Sequence, residues 1–161
     1  MMFTYQGKTA LITGASSGIG RAFASALAAR KMDVILVARS EERLRALATE
    51  LSERHGIRTE VIPVDLSQED AIRQIQLEVQ QRGLVIDLLV NNAGFATNGY
   101  FETLFPERDH DQVMVDATAV VDLTHAFVPA LLERVPGAAI INVASTAGFQ
   151  PLPYMGDLWR E

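Results

Sequence analysis

Five short runs of Val, Ile and Leu, separated by longer segments of helical period, constrain this chain more than any other feature. The runs are Thr9–Thr13, Val34–Val37, Val61–Val64, Leu88–Asn91 and Ala139–Val143. None alternates with polar residues, the pattern of strands covered on both faces. Strands of that kind in alternation with helices imply a parallel sheet flanked by helices. Five strands with four crossovers give an α/β, doubly wound sheet, whose ligand crevice lies at the carboxyl ends of the strands.

The intervening segments carry their own punctuation. A first helix is expected from near Ile19 to about Arg30. A second starts at Ser40, whose hydroxyl is a capping group, and Glu41 and Glu42 favour the positive end of its dipole. Ser67-Gln68-Glu69-Asp70 reads as a cap with an acidic first turn, opening a helix that ends near Gly83. The longest helix is expected within Glu107–Leu132, with Pro129 as the position for a bend, because proline removes a backbone donor and crowds the preceding turn.

Composition narrows the class further. At 161 residues the chain fits one domain, able to bury about 70% of its unfolded surface. A net charge of −6 and a pI near 5.1 argue against nucleic acid and anionic membrane surfaces, which call for a basic face. There is no cysteine, so no disulfide or thiolate chemistry, in keeping with a reducing cytoplasm. No apolar run approaches the ~20 residues that span a bilayer, and Met1–Lys8 lacks the pattern of a secretory signal. His55, His110 and His125 form no ligand-spaced set, so no metal site is expected.

Chemistry enters with the glycines. Gly14, Gly18 and Gly20 follow the first strand and open the first helix, the setting a phosphate loop requires. Glycine there permits positive φ and close backbone approach. The amides near Ser16, Ser17, Gly18, Ile19 and Gly20 would cradle a pyrophosphate at the helix N-terminus. A bare glycine turn with no ligand is the alternative, and two later motifs weigh against it. Asn91-Asn92-Ala93-Gly94 ends the fourth strand and Val143-Ala144-Ser145 ends the fifth.

Together with Thr13-Gly14-Ala15-Ser16-Ser17-Gly18-Ile19-Gly20, that ordered set resembles the short-chain dehydrogenase/reductase family, from about Gly7 to Tyr154. The resemblance implies a Rossmann-type fold, an NAD(P) cofactor, a small carbonyl or alcohol substrate and a homo-oligomer for the full-length form. It implies a cofactor-binding and partly structural role for Asn91, adenine contact at Asp65, and a catalytic hydrogen bond from Ser145 to the substrate oxygen. The stretch from Val113 to Ala119 places Asp116 where the family carries a water-anchoring asparagine. An ionised aspartate only accepts hydrogen bonds, whereas asparagine also donates, so the proton relay is altered there.

The end of the second strand bears on cofactor choice. An acidic residue there would bind the ribose hydroxyls of NAD, and would repel a 2′-phosphate by about 4 kcal/mol at ~4 Å and an effective dielectric of 20. Here the position is Ala38, followed by Arg39, whose guanidinium fork suits phosphate oxygens. NADP(H) is therefore favoured over NAD(H), with a solvated arginine in a turn as the plain alternative. Asp65 on its own also suits a turn or cap.

The family's Tyr-x-x-x-Lys, some thirteen residues after the serine, is missing. Thirteen residues after Ser145 is Leu158, and Tyr154 is followed four residues later by that leucine rather than by lysine. The tail 155–161 departs from the family pattern. With one base removed after Met155, its codons are compatible with a tyrosine at position 158 and a lysine four residues on. A frameshift, a deliberate end of the expressed chain and a natural short isoform all remain open. The expected organisation is a partial dinucleotide-binding domain over 1–154 and an aberrant tail over 155–161, the family's C-terminal strands being absent. On this reading the chain is an NADP-dependent oxidoreductase, truncated and inactive. The alternative is a non-catalytic nucleotide-binding or interaction module, and a methyltransferase-like fold is disfavoured by the glycine spacing. The fifth strand and an apolar patch near Val120, Leu123 and Phe127 would be left uncovered, favouring association or aggregation.

Overall fold

The computed structural model describes residues 3–149; Tyr154 and the tail 155–161 lie outside them. Every crossover returns the chain to a parallel neighbour. The strands are β1 (Thr9–Thr13), β2 (Asp33–Ala38), β3 (Thr59–Pro63), β4 (Leu88–Asn91) and β5 (Ala139–Asn142). Their order in the sheet is β3-β2-β1-β4-β5, with Ile12 level with Leu36 on one side and Val90 on the other. The order reverses at β1, so the carboxyl ends of β1, β2 and β4 open a crevice between them. The incomplete α/β sheet expected from the apolar runs is present. Only β3 is displaced, starting two residues earlier and leaving Val64 beyond its end.

Side-chain alternation explains why the strands are apolar throughout. Ala10, Ile12, Val34, Leu36 and Val90 face one way, against helices α1 (Gly18–Ala28) and α2 (Glu41–His55). Leu11, Ile35, Val37, Ile62 and Leu89 face the other, against α3 (Ala71–Gln81) and α5 (Ala119–Leu132). Burying each large aliphatic side chain contributes about 1.5–3 kcal/mol. Helix α2 stops at Gly56, whose φ of 62° and N–H···O bond of 2.8 Å to Ser52 make a left-handed C-terminal cap.

Two caps differ from expectation. Ser40 stands at the N-cap of α2, but its hydroxyl makes no capping hydrogen bond. Ser67 does not open α3. Its N–H and hydroxyl both donate to Asp65 Oδ1, at 3.1 and 2.9 Å, which closes a local turn and delays the helix to Ala71 with Asp70 at its N-cap. Glu69 and Asp70 therefore precede the helix instead of occupying its first turn.

The long helix runs from Pro106 to Leu132, as α4 (Pro106–Val113), a π-helical segment (Met114–Thr118) and α5. The departure from α geometry falls at that segment, and α5 continues through Pro129. The stretch is long and apolar enough to cross a membrane by length and composition, a property the run-by-run reading missed. Here one stripe, Val115, Ala119, Leu123, Phe127 and Leu131, packs on the sheet. Leu123 and Phe127 are therefore buried rather than part of an uncovered patch. Their four-residue spacing turns them towards the strands, and the exposed apolar residues of this helix are instead Val113, Val121 and Leu132.

Candidate dinucleotide site

The crevice is assembled from three turns that follow β1, β2 and β4. In the first, Gly14 and Gly18 have φ of +65° and +52°, values L side chains rarely adopt. Gly20 is excluded from bearing a side chain for a different reason. A Cβ there would lie 2.4 Å from the Gly14 carbonyl oxygen and 2.5 Å from Asn92 Nδ2. The space at Gly20 is thus filled by the protein's own turns, whereas Gly18 faces open space. Ser17 is the N-cap of α1 and its side chain makes no capping bond. The first-turn amides of α1 have no carbonyl one turn earlier to bond, so they are left to an anion, which the helix dipole also favours.

Thr13 joins this turn to the one after β4. Its hydroxyl donates to the Val90 carbonyl at 3.3 Å and accepts from the N–H groups of Asn92 (2.9 Å) and Ala93 (3.0 Å). Asn92 Nδ2 returns a bond of 2.8 Å to the Thr13 carbonyl. Bracing of neighbouring strands is what the asparagine amides of Asn91-Asn92 suggest from the sequence, and Asn92 does so here; the part of Thr13 is not indicated by its motif. The signal was present: a threonine ending a buried strand must place its hydroxyl somewhere.

Asn91 is 2% exposed and serves the sheet. Its Nδ2 donates to Asn142 Oδ1 at 2.9 Å, tying β4 to β5, and to Thr124 Oγ1 at 3.3 Å on α5. Its Oδ1 is buried without a partner among the described residues. The amide does not line the crevice, so the observed contacts are those of the structural half of its expected role.

The crevice itself encloses about 550 Å³, within the range of small-molecule and cofactor pockets. Gly14, Ser16, Ser17, Gly18, Ile19, Arg39 and Asp65 all line it, as do Ala38, Ser40 and Arg43 at the β2 end. Asn92, Ala93, Gly94, Phe95, Asp111 and Val115 form the wall towards the long helix. Ile19 is 60% exposed, an apolar surface over the opening. Arg39 and Arg43 form no ion pair among the described residues, whereas Arg21, Arg45, Arg58, Arg82 and Arg134 each hold a carboxylate. Asp65 turns one carboxylate oxygen to Ser67, so its observed bonds are those of a turn residue on the crevice rim. Arg43 and Asp111 went unremarked in the sequence, because nothing in a helical arginine or aspartate marks it as facing a crevice.

Asp116 sits in the π-helical segment beside the crevice. The residue as a whole is exposed, but its carboxyl lies against the loop after β4, where Oδ1 accepts the Phe95 N–H at 3.1 Å. Desolvation raises its pKa above the ordinary aspartate value, against the lowering effect of the Phe95 N–H and the Gln112 side chain. The same loop is held to α4 by Gln112 Oε1, which accepts from Thr97 N and Oγ1, and by Arg108 over the Phe95 ring at 4.6 Å. Ser145 lies past β5, exposed, with Oγ accepting the Ala147 N–H at 3.1 Å. Neither Asp116 nor Ser145 lines the crevice.

A parallel sheet reversing at β1, with a glycine turn at the head of α1, defines an α/β protein of Rossmann type. Residues 8–156 match the family model for short chain dehydrogenases, and the chain belongs to that family. It is 34% identical over 154 residues to a very-long-chain 3-oxoacyl-CoA reductase of Bos taurus, covering 92% of this chain and 48% of that protein. It is 40% identical over 149 residues to sulfoacetaldehyde reductase 2 of Chromohalobacter salexigens, covering 89% and 56%. Among solved structures, L-sorbose reductase from Gluconobacter frateurii, complexed with NADPH and L-sorbose, superposes with a TM-score of 0.87 at 35% identity, over 96% of this chain and 59% of that one. A metagenomic short-chain oxidoreductase in complex with NADP gives 0.86 at 35%, over 95% and 69%. The chain spans about half the length of the curated relatives it matches.

Proposed function

We propose that the crevice binds NADP(H) in preference to NAD(H), and that the protein these residues belong to transfers hydride between that cofactor and a carbonyl or alcohol carbon. The observation that carries the reading is the end of β2, where Ala38 and Arg39 share one crevice with the glycine turn. No carboxylate stands at that strand end to repel a 2′-phosphate, and Arg39 is not occupied by an acid among the described residues. The residues fit the group: open first-turn amides for the pyrophosphate, an unpaired cation for a further phosphate, and the apolar Ile19 beside them. When bound, NADP(H) supplies or accepts the hydride. The chain's own contribution is to hold and orient. The amides of Gly18 and Ile19 would hold the pyrophosphate, Thr13 and Asn92 brace the turns behind them, and Ser145 would offer a hydroxyl past the β5 end to a substrate oxygen.

Turnover by these 161 residues alone is a separate matter. Within them the lysines are Lys8 and Lys31, both ahead of Ser145, so these residues by themselves supply no lysine to assist a tyrosine whose free pKa is ~10. Removing a general acid commonly costs about 10²–10⁴-fold. The reading is therefore of a chain that binds the cofactor without measurable turnover, in a reducing cytoplasm that suits its lack of cysteine. Calorimetric titration with NADPH and NADH, together with NADPH oxidation against a panel of carbonyls, tests both parts. Binding of NADPH without turnover supports the reading, no binding of either nucleotide overturns the cofactor assignment, and turnover at the rate of an ordinary reductase overturns the inactivity.

A further inference from the structure

We infer that Gln112 and Asp116 form a matched donor–acceptor pair that clasps the loop after β4 to the long helix, which makes Gln112 a positioning residue for the crevice wall. The clasp is independent of what the crevice holds; its effect on a nucleotide rests on the NADP(H) reading above. The loop has little else to fix it. Residues 93–98 belong to no helix or strand, and none of them joins a backbone–backbone hydrogen bond among the described residues. Yet Ala93, Gly94 and Phe95 line the crevice, so whatever fixes the loop also fixes that wall.

The fastening comes from one face of the helix. Arg108, Gln112 and Asp116 recur at four-residue spacing, which stacks them along a single stripe. Arg108 lies over the Phe95 ring. Gln112 Oε1 accepts the Thr97 N–H at 3.0 Å and the Thr97 hydroxyl at 3.1 Å, and Asp116 Oδ1 accepts the Phe95 N–H at 3.1 Å. Thr97 is buried, and a Cβ at Gly94 would stand 3.1 Å from Asp116 Oδ1, so loop and helix meet at close range. A backbone N–H can only donate, and the Thr97 bond therefore fixes which way the Gln112 amide points: oxygen to the loop, NH2 away from it. That NH2 group meets the Asp116 carboxyl one turn on, where its hydrogen bond favours the ionised form against the burial that opposes it. A carboxylate suits the place because it accepts on both sides, from Phe95 and from Gln112. An asparagine, the residue that the family resemblance puts here, would turn its own NH2 to that of Gln112 once its oxygen had taken the Phe95 N–H. One acceptor would then be missing from the set, and Phe95 or Thr97 would lose its bond.

The test exchanges acid and amide between the two positions in the 161-residue chain. In Gln112→Glu two carboxylates meet, and in Asp116→Asn two amides. The double variant Gln112→Glu/Asp116→Asn again sets one donor against one acceptor, with the net charge and side-chain shapes of the parent. Amide hydrogen exchange followed by NMR reads Phe95 and Thr97 directly, and a thermal melt checks that each variant is folded. Each single variant is expected to speed exchange at one or both amides by about tenfold, the scale of one hydrogen bond to a charged group. The double variant should return both to within about threefold of the parent, the non-additivity expected of residues in one hydrogen-bond network. Single variants that leave both amides unchanged, or a double variant in which the two losses add, overturn the clasp. If a single variant does not fold, a double variant that folds with parental exchange supports the pair, and one that does not overturns it. Calorimetric titration with NADPH gives the second readout: each single variant should bind about threefold or more weakly, and the double variant as the parent does. Exchange that follows the swap while NADPH affinity stays constant overturns the positioning role. A parent chain that binds no NADPH overturns the cofactor reading instead, and exchange alone then decides the clasp.

Discussion

Thr13→Val removes the buried hydroxyl that joins the turns after β1 and β4 and keeps the side-chain volume, so it isolates what that hydroxyl does. Thr13 is 1% exposed, and its Oγ1 makes three hydrogen bonds, accepting from Asn92 and Ala93 and donating to Val90. The valine leaves two N–H groups and a carbonyl facing a methyl group. An unsatisfied buried donor costs about 1–3 kcal/mol. Asn92 and Ala93 are half-buried, so the lower end applies to each, and the sum is about 2–3 kcal/mol. That is a large part of a net stability of about 5–15 kcal/mol. Urea denaturation followed by circular dichroism should show the midpoint falling by roughly 1 M or more, given a slope of about 1–3 kcal/mol per molar. Thr13→Ser, which restores the hydroxyl, should recover most of the loss. The bond from Asn92 Nδ2 to the Thr13 carbonyl survives in both variants, so the turn should loosen rather than detach. A Thr13→Val midpoint within about 0.2 M of the parent would show that the turn finds other acceptors at little cost and that the hydroxyl does not hold it.

Gly20→Ala should destabilise by about 1–3 kcal/mol through overpacking, since its Cβ meets the Gly14 backbone at 2.4 Å; Gly18→Ala, with open space but a φ of +52°, should cost only about 1–2 kcal/mol from the left-handed backbone, and thermal melts rank the two. Asp116→Asn should change the acid side of the stability profile: a carboxyl whose folded pKa is raised makes the parent lose stability as pH rises from the unfolded pKa through the folded one. Melts of parent and variant from pH 3 to 7 should therefore diverge with rising pH in favour of Asn, and parallel curves would count against the desolvated carboxyl. Among the described residues β5 is an edge strand, with Ile141 exposed upon it, so Ile141→Lys should reduce concentration-dependent association in size-exclusion chromatography.

Much of the fold was legible because it rests on periodicity. Runs such as Val34–Val37 and Leu88–Asn91 are apolar on both faces, and only a covered parallel strand tolerates that. The glycine turn was legible for the same kind of reason, since positive φ at Gly14 and Gly18 leaves a mark in residue type. What escaped the sequence depends on side chains meeting across it. Ser67 looked like a cap until Asp65 took its N–H and hydroxyl. Leu123 and Phe127 looked exposed when judged by what was missing beside them, yet their own spacing turned them to the sheet. Asn91 carried a double expectation, and its amide went to Asn142 and Thr124, 51 and 33 residues away. Arg43 is one arginine among many on helices, and only the folded crevice separates it from a solvated charge.

We propose that these residues form an NADP(H) cradle whose selectivity resides at the end of β2. Equilibrium titration of NADPH and of NADH into the 161-residue chain, at one fixed salt concentration, measures it directly. The account predicts NADPH binding at least about tenfold tighter, a difference of about 1.4 kcal/mol, with Arg39→Ala weakening NADPH more than NADH. Equal affinities, or an equal loss of both on Arg39→Ala, would contradict it.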